Sequence, residues 1–206
     1  YYQWTGSAPI PDQFKQYIDE WYQMMPDYKI VKVTLNEYYP FVEKALKHNK
    51  PIIGTMYIRL RQLYETGGIC LDTDVEVVKS LDELLKNKFF TGYQVVNNQI
   101  NQTVMGAIPG HRFILEWIDF LDNLNWDGVF PQGIDIETSL QFITNLASRN
   151  GWIAKNETQR FMDFTIYNTK YFYPYLWYEK FTPECITKDT YTVHHWSGLW
   201  QKEIIL

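Results

Sequence analysis

Apolar residues along this chain recur first at the spacing of a helix and then at that of strands. One face of a first predicted helix, after Pro11, is formed by Phe14, Tyr17, Ile18, Trp21 and Met25. The β-branched run over 28–34 predicts a strand, and a short helix over 41–48 follows it. A further apolar stripe over 55–64 predicts another helix.

The stretch over 64–78, YETGGICLDTDVEVV, contains a helix end, a turn and a short buried strand. Gly67 and Gly68 can adopt positive φ angles and end the preceding helix. Residues 69–71 form an apolar run, which is typical of a strand covered on both faces. Two carboxylates, Asp72 and Asp74, follow this strand directly.

Two carboxylates at a strand end cost free energy unless a cation compensates their charge. Mg²⁺ and Mn²⁺ prefer oxygen ligands and usually bind through one or two carboxylates together with substrate phosphates. The segment Asp72-Thr73-Asp74 therefore predicts a metal site that connects the protein to a diphosphate. A solvated acidic turn is the structural alternative, and for an isolated Asp-x-Asp it is the more frequent one.

The rest of the chain repeats the two apolar patterns. Strands are predicted at 75–78, where the first strand resumes, and at 89–93. Helices are predicted to begin at 80–83 and at 137, the second continuing through 140–148 after a loop of turn formers over 125–135.

Composition narrows the class of protein. With 206 residues, 46% hydrophobic content and a net charge of −5, we expect one domain and no nucleic acid partner. Two cysteines far apart in sequence fit a reducing, cytoplasmic setting. No apolar run reaches transmembrane length, and no signal peptide is visible. The aromatic excess is compatible with sugar stacking, although core packing accounts for most of it.

Residues 59–75, RLRQLYETGGICLDTDV, resemble the Asp-x-Asp region of glycosyltransferase family 32, R-L-x-x-L-Y-x-x-G-G-I-Y-L-D-T-D-V. This family includes bacterial capsular and lipopolysaccharide sugar transferases and yeast Golgi mannosyltransferases. The resemblance implies an α/β fold of the GT-A type, a Rossmann-like mixed sheet flanked by helices. On this basis we expect a single domain over 1–206, with a nucleotide-binding half over 1–78 and an acceptor half over 79–206.

The segment over 191–200, YTVHHWSGLW, resembles the family's A-x-H-x-W-x-x-S-W. An imidazole can serve as a third metal ligand, but the two histidines point to opposite sides of a strand, so only one should reach the metal. We choose His195, because His195-x-x-Gly198-x-Trp200 keeps the spacing of the ligand, phosphate contact and indole in related transferases; His194 is the alternative. Packing of both histidines beside tryptophan rings is the structural alternative.

The resemblance implies a role for each matching residue. Asp72, Asp74 and His195 are expected to hold Mn²⁺ or Mg²⁺ on the donor pyrophosphate, and Arg59 and Trp200 are expected to contact the leaving group as further catalytic residues. The other expected donor contacts are Tyr2, Trp4, Thr55, Thr73, Asn101, Ser197 and Gly198. The family retains anomeric configuration and needs no enzymic base, for which Asp135 is a weak candidate.

Two residues depart from the family pattern. Met56 stands where the family's S-D-Y-x-R has its aspartate, and methionine cannot accept a hydrogen bond from a sugar hydroxyl as a carboxylate does. Cys70 stands where the family has tyrosine. These departures keep open a second hypothesis, a nucleotide-sugar-binding homologue with weak or hydrolytic activity.

The resemblance as a whole implies a metal-dependent retaining glycosyltransferase. Its donor would be a UDP- or GDP-sugar and its acceptor a saccharide or lipid-linked saccharide, in capsule or lipopolysaccharide synthesis. We expect a cytoplasmic bacterial protein with at most peripheral association with the inner membrane face. The rival from another class is a calcium-stabilised carbohydrate-binding module, although the segment lacks the Gly and distal Glu of an EF-hand loop.

Overall fold

The computed structural model describes residues 1–4, 9–34, 40–126 and 136–198, with main-chain structure only for 136 and 137. Its α-helices are α1 (Asp12–Met24), α2 (Pro40–Lys47), α3 (Pro51–Thr66), α4 (Arg112–Asp122) and α5 (Ile136–Arg149). Its strands are β1 (Gly68–Leu71), β2 (Val75–Val77), β3 (Phe89–Gln94), β4 (Gln99–Ala107), β5 (Gln159–Arg160), β6 (Thr165–Tyr167) and β7 (Thr192–His194).

Five of the strands form one mixed sheet in the order β1-β4-β3-β6-β5. Its β3–β6 pair is parallel, and the other three pairs are antiparallel. The amino-terminal segment extends this sheet beyond β1, since the Tyr1 amino group donates to the Ile69 carbonyl and the Leu71 amide donates to the Tyr1 carbonyl. Helices flank this mixed sheet, so the predicted α/β class is confirmed.

Two predicted elements differ in the structure. The strand expected over 28–34 is reduced to a parallel bridge between Tyr2 and Lys32, supported by main-chain bonds from Tyr2 to the residues on either side of Lys32. The strand expected to resume over 75–78 instead forms a separate two-stranded sheet, β2 with β7. The reason is the acidic turn, where the Val75 amide donates to the Asp72 carbonyl and redirects the chain.

Two groups of buried side chains cover the main sheet. The first includes residues of α2, α3, α4 and α5, and the second includes residues of α1 and β2. Because strand side chains alternate, Cys70 packs in the first group while Ile69 and Leu71 pack in the second. The prediction that β1 is buried on both faces is confirmed. Within the described ranges, no helix has the length and apolarity needed to cross a bilayer.

Candidate metal and donor site

Gly67 and Gly68 connect the end of α3 to β1. Gly67 has a φ of 67° and its amide donates to the Leu63 carbonyl, which ends the helix as the sequence predicted. A Cβ at Gly67 would lie 2.7 Å from Pro109, so the close approach of the two segments also requires glycine. The short β1 that follows places Asp72 and Asp74 at its carboxyl end.

The carboxyl-terminal part of the chain returns to this turn. In the antiparallel β2–β7 pair, Val75 lies opposite His194. The His195 amide donates to the Asp74 carbonyl at 2.9 Å. The acidic turn and the histidine pair, which are far apart in sequence, are therefore neighbours in the fold.

An imidazole completes a cluster with the two carboxylates. Asp72, Asp74 and His194 each offer one ligand atom, and these atoms all lie within 4.8 Å of one another. The Nε2 atom of His194 lies 3.4 Å from Oδ1 of Asp74. The Nδ1 atom of His194 is buried and has no hydrogen-bond partner in the described part of the chain.

Asp74 is buried, with 7% of its surface exposed, and is held at both carboxylate oxygens. Its Oδ1 faces His194, and its Oδ2 accepts a 2.9 Å hydrogen bond from the Ser197 amide. Burial by itself raises the pKa of this carboxyl, but His194 and the Ser197 amide outweigh it and hold the pKa well below its usual range. Asp74 is thus a charged, fixed oxygen donor at neutral pH.

His195, the predicted third ligand, does not lie in the cluster; the histidine that lies there is His194. The Nε2 atom of His195 is instead hydrogen-bonded to Glu76 at 2.9 Å, and its ring stacks on Tyr17 with 4.9 Å between centroids. Alternation along β7 sends the two imidazoles to opposite faces, as predicted. The geometry of the cluster favours His194 as the third ligand, and metal binding by either histidine stays a prediction.

Arg59, on α3, reaches Asp72 from the helix side of the sheet. Its Nη1 donates to Oδ1 of Asp72 at 2.5 Å, and its Nη2 lies 3.3 Å from the Gln102 carbonyl oxygen. Burial lowers the pKa of the guanidinium, but Asp72 and Cys70 more than compensate, so the net pKa is raised and Arg59 stays charged. In this arrangement Arg59 orients Asp72, while its buried Nε has no partner among the described residues.

Most of the other residues that were predicted to contact the donor make contacts within the protein. Tyr2 packs edge-on against Trp21, and Trp4 packs edge-on against Phe14. Thr55 lies one turn before Arg59 on α3 and its hydroxyl donates to the main chain of that helix. Thr73 is buried in the acidic turn. Their contact with a donor stays a prediction.

Asn101 and Ser197 make hydrogen bonds within the protein, and their contact with a donor stays a prediction. The Asn101 amide group donates to the Gln94 side chain at 2.5 Å, and its Oδ1 accepts from the Thr103 amide at 2.8 Å. The Ser197 amide donates to Asp74. Gly198 follows with a φ of 56°. Trp200 and Asp135 lie outside the described residues.

Met56 is explained by its surroundings in the core. It is 1% exposed, and its sulfur accepts a hydrogen bond from the Ser139 hydroxyl, which itself accepts from the Trp117 indole. A methionine therefore suits this position. Cys70, the second departure, is also fully buried.

Sequence reasoning did not single out Trp196, whose ring lies 4.2 Å from that of His194. Its indole donates to the Tyr175 carbonyl at 3.0 Å, and its φ is 49°, unusual for a residue other than glycine. The only signal in the sequence was its position directly after the histidine pair. Both polar side-chain atoms of Gln3 are buried and lack partners in the described ranges, which no pattern predicted.

Comparison with known proteins indicates the class of protein that this chain resembles. Residues 11–91 match the family model described as the glycosyltransferase sugar-binding region containing the DXD motif. Among solved structures, the PaToxG glycosyltransferase is similar at 14% identity and a TM-score of 0.54, over 73% of this chain and 67% of that chain. A glycosyltransferase involved in glycosylation of the major capsid of PBCV-1 is similar at 12% identity and a TM-score of 0.49, over 98% and 95%. A search of curated proteins gave no significant match.

The fold is that of GT-A type glycosyltransferases, as predicted. The matched region contains Arg59, Asp72 and Asp74, so the family model covers the acidic turn and the helix that supports it. Together, the family match and the fold support a glycosyltransferase. Membership of family 32 itself stays a prediction.

Proposed function

We propose that this chain is a metal-dependent transferase that moves a sugar from a nucleoside diphosphate donor to a saccharide acceptor. The observation that carries the proposal is the convergence of Asp72, Asp74 and His194 within 4.8 Å at the end of β1. This cluster lies in a GT-A fold, and both of its carboxylates fall in the segment that matches the DXD family.

The residues present fit a divalent metal. Two carboxylates and one imidazole suit Mn²⁺, and with water ligands they suit Mg²⁺. The lowered pKa of Asp74 keeps its carboxylate ionised, as a ligand must be. The unpartnered Nδ1 of His194 shows that this imidazole is not fully used by the described part of the chain. A bound ion would supply Lewis-acid stabilisation of the charge that grows on the leaving diphosphate.

The chain's own contribution is to fix the ligands before the donor arrives. Arg59 holds Asp72 from one side, and the Ser197 amide and His194 hold Asp74 from the other. Ligands held in place need less reorganisation when the donor binds. The permanently charged Arg59 also adds positive potential at the point where diphosphate charge would develop.

The finer features of the reaction rest on the family resemblance. Retention of anomeric configuration would place the acceptor hydroxyl on the face from which the diphosphate leaves, so that the leaving oxygen takes the hydroxyl proton. We assign donor binding to the half over 1–78 and acceptor binding to the half over 79–206, within one domain. A role in capsule or lipopolysaccharide synthesis, at the cytoplasmic side of a bacterial membrane, is part of the same proposal.

Thermal stabilisation by nucleotides tests the metal and donor together. We expect UDP or GDP with Mn²⁺ to raise the melting temperature, and Asp74→Asn to abolish that increase while the variant still folds. An unchanged increase in Asp74→Asn would contradict the metal role. Stabilisation by Ca²⁺ without any nucleotide would instead support the carbohydrate-binding module.

The burial of Met56 favours one alternative within the same class. With this side chain in the core, the acidic group that the family resemblance expects next to the donor sugar is absent at this position. A homologue that binds a sugar nucleotide and transfers or hydrolyses it slowly has the same metal cluster. Turnover measured at saturating donor, with and without a saccharide acceptor, separates the alternatives.

A further inference from the structure

Two large aromatic side chains occupy the corner of one tight turn over 176–179. Trp177 and Tyr178 are 61% and 62% exposed, and their rings lie 5.3 Å apart at an interplanar angle of 84°. Turn corners usually carry small or polar residues, because these side chains project into water. Two adjacent exposed aromatic rings at such a corner therefore point to an interaction.

The turn is held rigid by two hydrogen bonds. The Glu179 amide donates to the Leu176 carbonyl at 2.8 Å, and the Leu176 amide donates to the Glu179 carboxylate at 2.7 Å. The turn is thus closed once by the main chain and once by a side chain. A preformed surface loses less conformational entropy when a ligand binds.

Both flanks of the turn contact the residues that directly follow β7, the strand that ends at His194. On one side, Tyr175 accepts from the Trp196 indole through its carbonyl, and its hydroxyl lies 3.3 Å from Nδ1 of His195. On the other side, the Phe181 ring lies 5.1 Å from the His195 ring. The turn is therefore joined to the carboxyl-terminal segment that also brings His194 and the Ser197 amide to the candidate metal cluster.

We propose that Trp177 and Tyr178 form a stacking surface for a saccharide ring of the acceptor; this inference rests on the proposed function. A pyranose ring has faces of apolar C–H groups and a rim of hydroxyls. An aromatic face covers the C–H groups, and the tyrosine hydroxyl and indole N–H offer polar partners to the rim. The near-perpendicular arrangement forms a corner that takes one sugar ring against both side chains.

The surrounding charges favour a saccharide over a membrane surface. Among residues 176–184 the exposed charged side chains are Glu179, Lys180 and Glu184, so acidic groups outnumber basic ones in this segment. Interfacial membrane binding needs a larger apolar area and is strengthened by basic residues that face anionic lipids. A neutral polyol needs neither of these features and is not repelled by this surface.

Indole NMR with defined saccharides tests the proposal. The probes are lactose, maltotriose, cellotriose, chitotriose and mannotriose, each titrated into ¹⁵N-labelled protein, with the Trp177 indole resonance assigned by its loss in Trp177→Ala. We expect a saturable shift of this resonance with at least one saccharide. Trp177→Ala and Tyr178→Ala are each expected to weaken that binding by about 3- to 10-fold. Tyr22→Ala, which removes an exposed aromatic ring on α1, is the matched control and is expected to leave it unchanged.

Three results would overturn the proposal. They are no shift with any of the five saccharides, an equal loss of binding in Tyr22→Ala, and a response of Trp177 to phosphatidylcholine–phosphatidylglycerol vesicles but to no saccharide. Nucleotide-dependent thermal stabilisation of the wild type and of Trp177→Ala separates the two proposals. If nucleotide with Mn²⁺ stabilises both and no saccharide binds, only the turn proposal fails. If no nucleotide stabilises the wild type but saccharides shift Trp177, the transferase proposal fails and the stacking surface stands.

Discussion

Replacing each of the two adjacent histidines in turn is the sharpest test of the candidate site. His194 shares the cluster with the two aspartates, whereas His195, the next residue, is bonded to Glu76 on the other face of the strand. Glutamine in either place keeps a hydrogen-bonding side chain of similar length but removes the imidazole. His194→Gln is therefore expected to weaken Mn²⁺ binding, and His195→Gln is the control.

The structure sets different magnitudes for stability and for metal affinity. Loss of a residue that only orients a ligand costs about 10- to 100-fold in metal affinity, so loss of His194 as a ligand should cost about 100-fold, or ~2.7 kcal/mol. In His194→Gln the introduced side-chain amide can still donate to Asp74, and the loss of the ring contact with Trp196 should lower the free energy of unfolding by about 1–2 kcal/mol. In His195→Gln the amide can likewise still donate to Glu76, and the loss of the ring stacked on Tyr17 should also cost about 1–2 kcal/mol.

Two measurements separate metal affinity from stability. Isothermal titration with Mn²⁺, in the presence of saturating UDP or GDP, gives the metal affinity of each variant. Urea unfolding in EDTA gives the free energy of unfolding without metal. We expect the two variants to lose similar stability, whereas His194→Gln loses about 100-fold in affinity and His195→Gln changes it by less than about threefold.

The reasoning would be refuted if His195→Gln abolished Mn²⁺ binding while His194→Gln retained it. It would also be refuted if both variants bound Mn²⁺ as the wild type does. In the second case Asp72, Asp74 and His194 would serve only to hold the carboxyl-terminal segment against the acidic turn.

Two further predictions concern buried groups. Met56→Asp should lower the free energy of unfolding by about 3 kcal/mol or more, since it buries an unpaired carboxyl group. Met56→Leu, of similar volume, should cost less than about 1.5 kcal/mol. Urea unfolding of both variants checks this, and a Met56→Asp variant as stable as Met56→Leu would contradict it. Because the folded-state pKa of Asp74 is lowered, its stabilising effect is complete above the unfolded-state value, about 3.9, and is lost as the pH falls through the folded-state pKa. The difference in unfolding free energy between the wild type and Asp74→Asn should therefore shrink as the pH falls below about 4, and a difference that grows on acidification would reject this cause.

The acidic turn and its setting were predictable from sequence because each depends on local chemistry. Paired glycines end a helix through their positive φ angles, and a short apolar run before Asp72 forms a strand covered on both faces. The alternation of side chains along β7 was equally predictable from strand geometry. That this strand lies next to the acidic turn was predictable from the family resemblance.

Features that depend on tertiary contacts were not predictable. Alternation says that His194 and His195 face opposite ways, but only the register of β7 against β2 decides which one faces Asp74. Likewise, the stripe on α3 does not reveal that Arg59 is engaged by Asp72, or that Met56 accepts a bond from Ser139 on α5. The run over 28–34 has strand-forming residues but finds main-chain partners only near Lys32.

The pairing of β2 with β7 has a consequence for the order in which the site is made. Asp74 is bonded to Ser197, 123 positions further along the chain, and Glu76 to His195, 119 positions further. Contacts between such distant positions cost more loop-closure entropy than local contacts, and during synthesis they must wait until residue 197 has left the ribosome. A nascent polypeptide therefore carries the two aspartates long before it carries the imidazole, and acquires a complete cluster only after His194 has emerged.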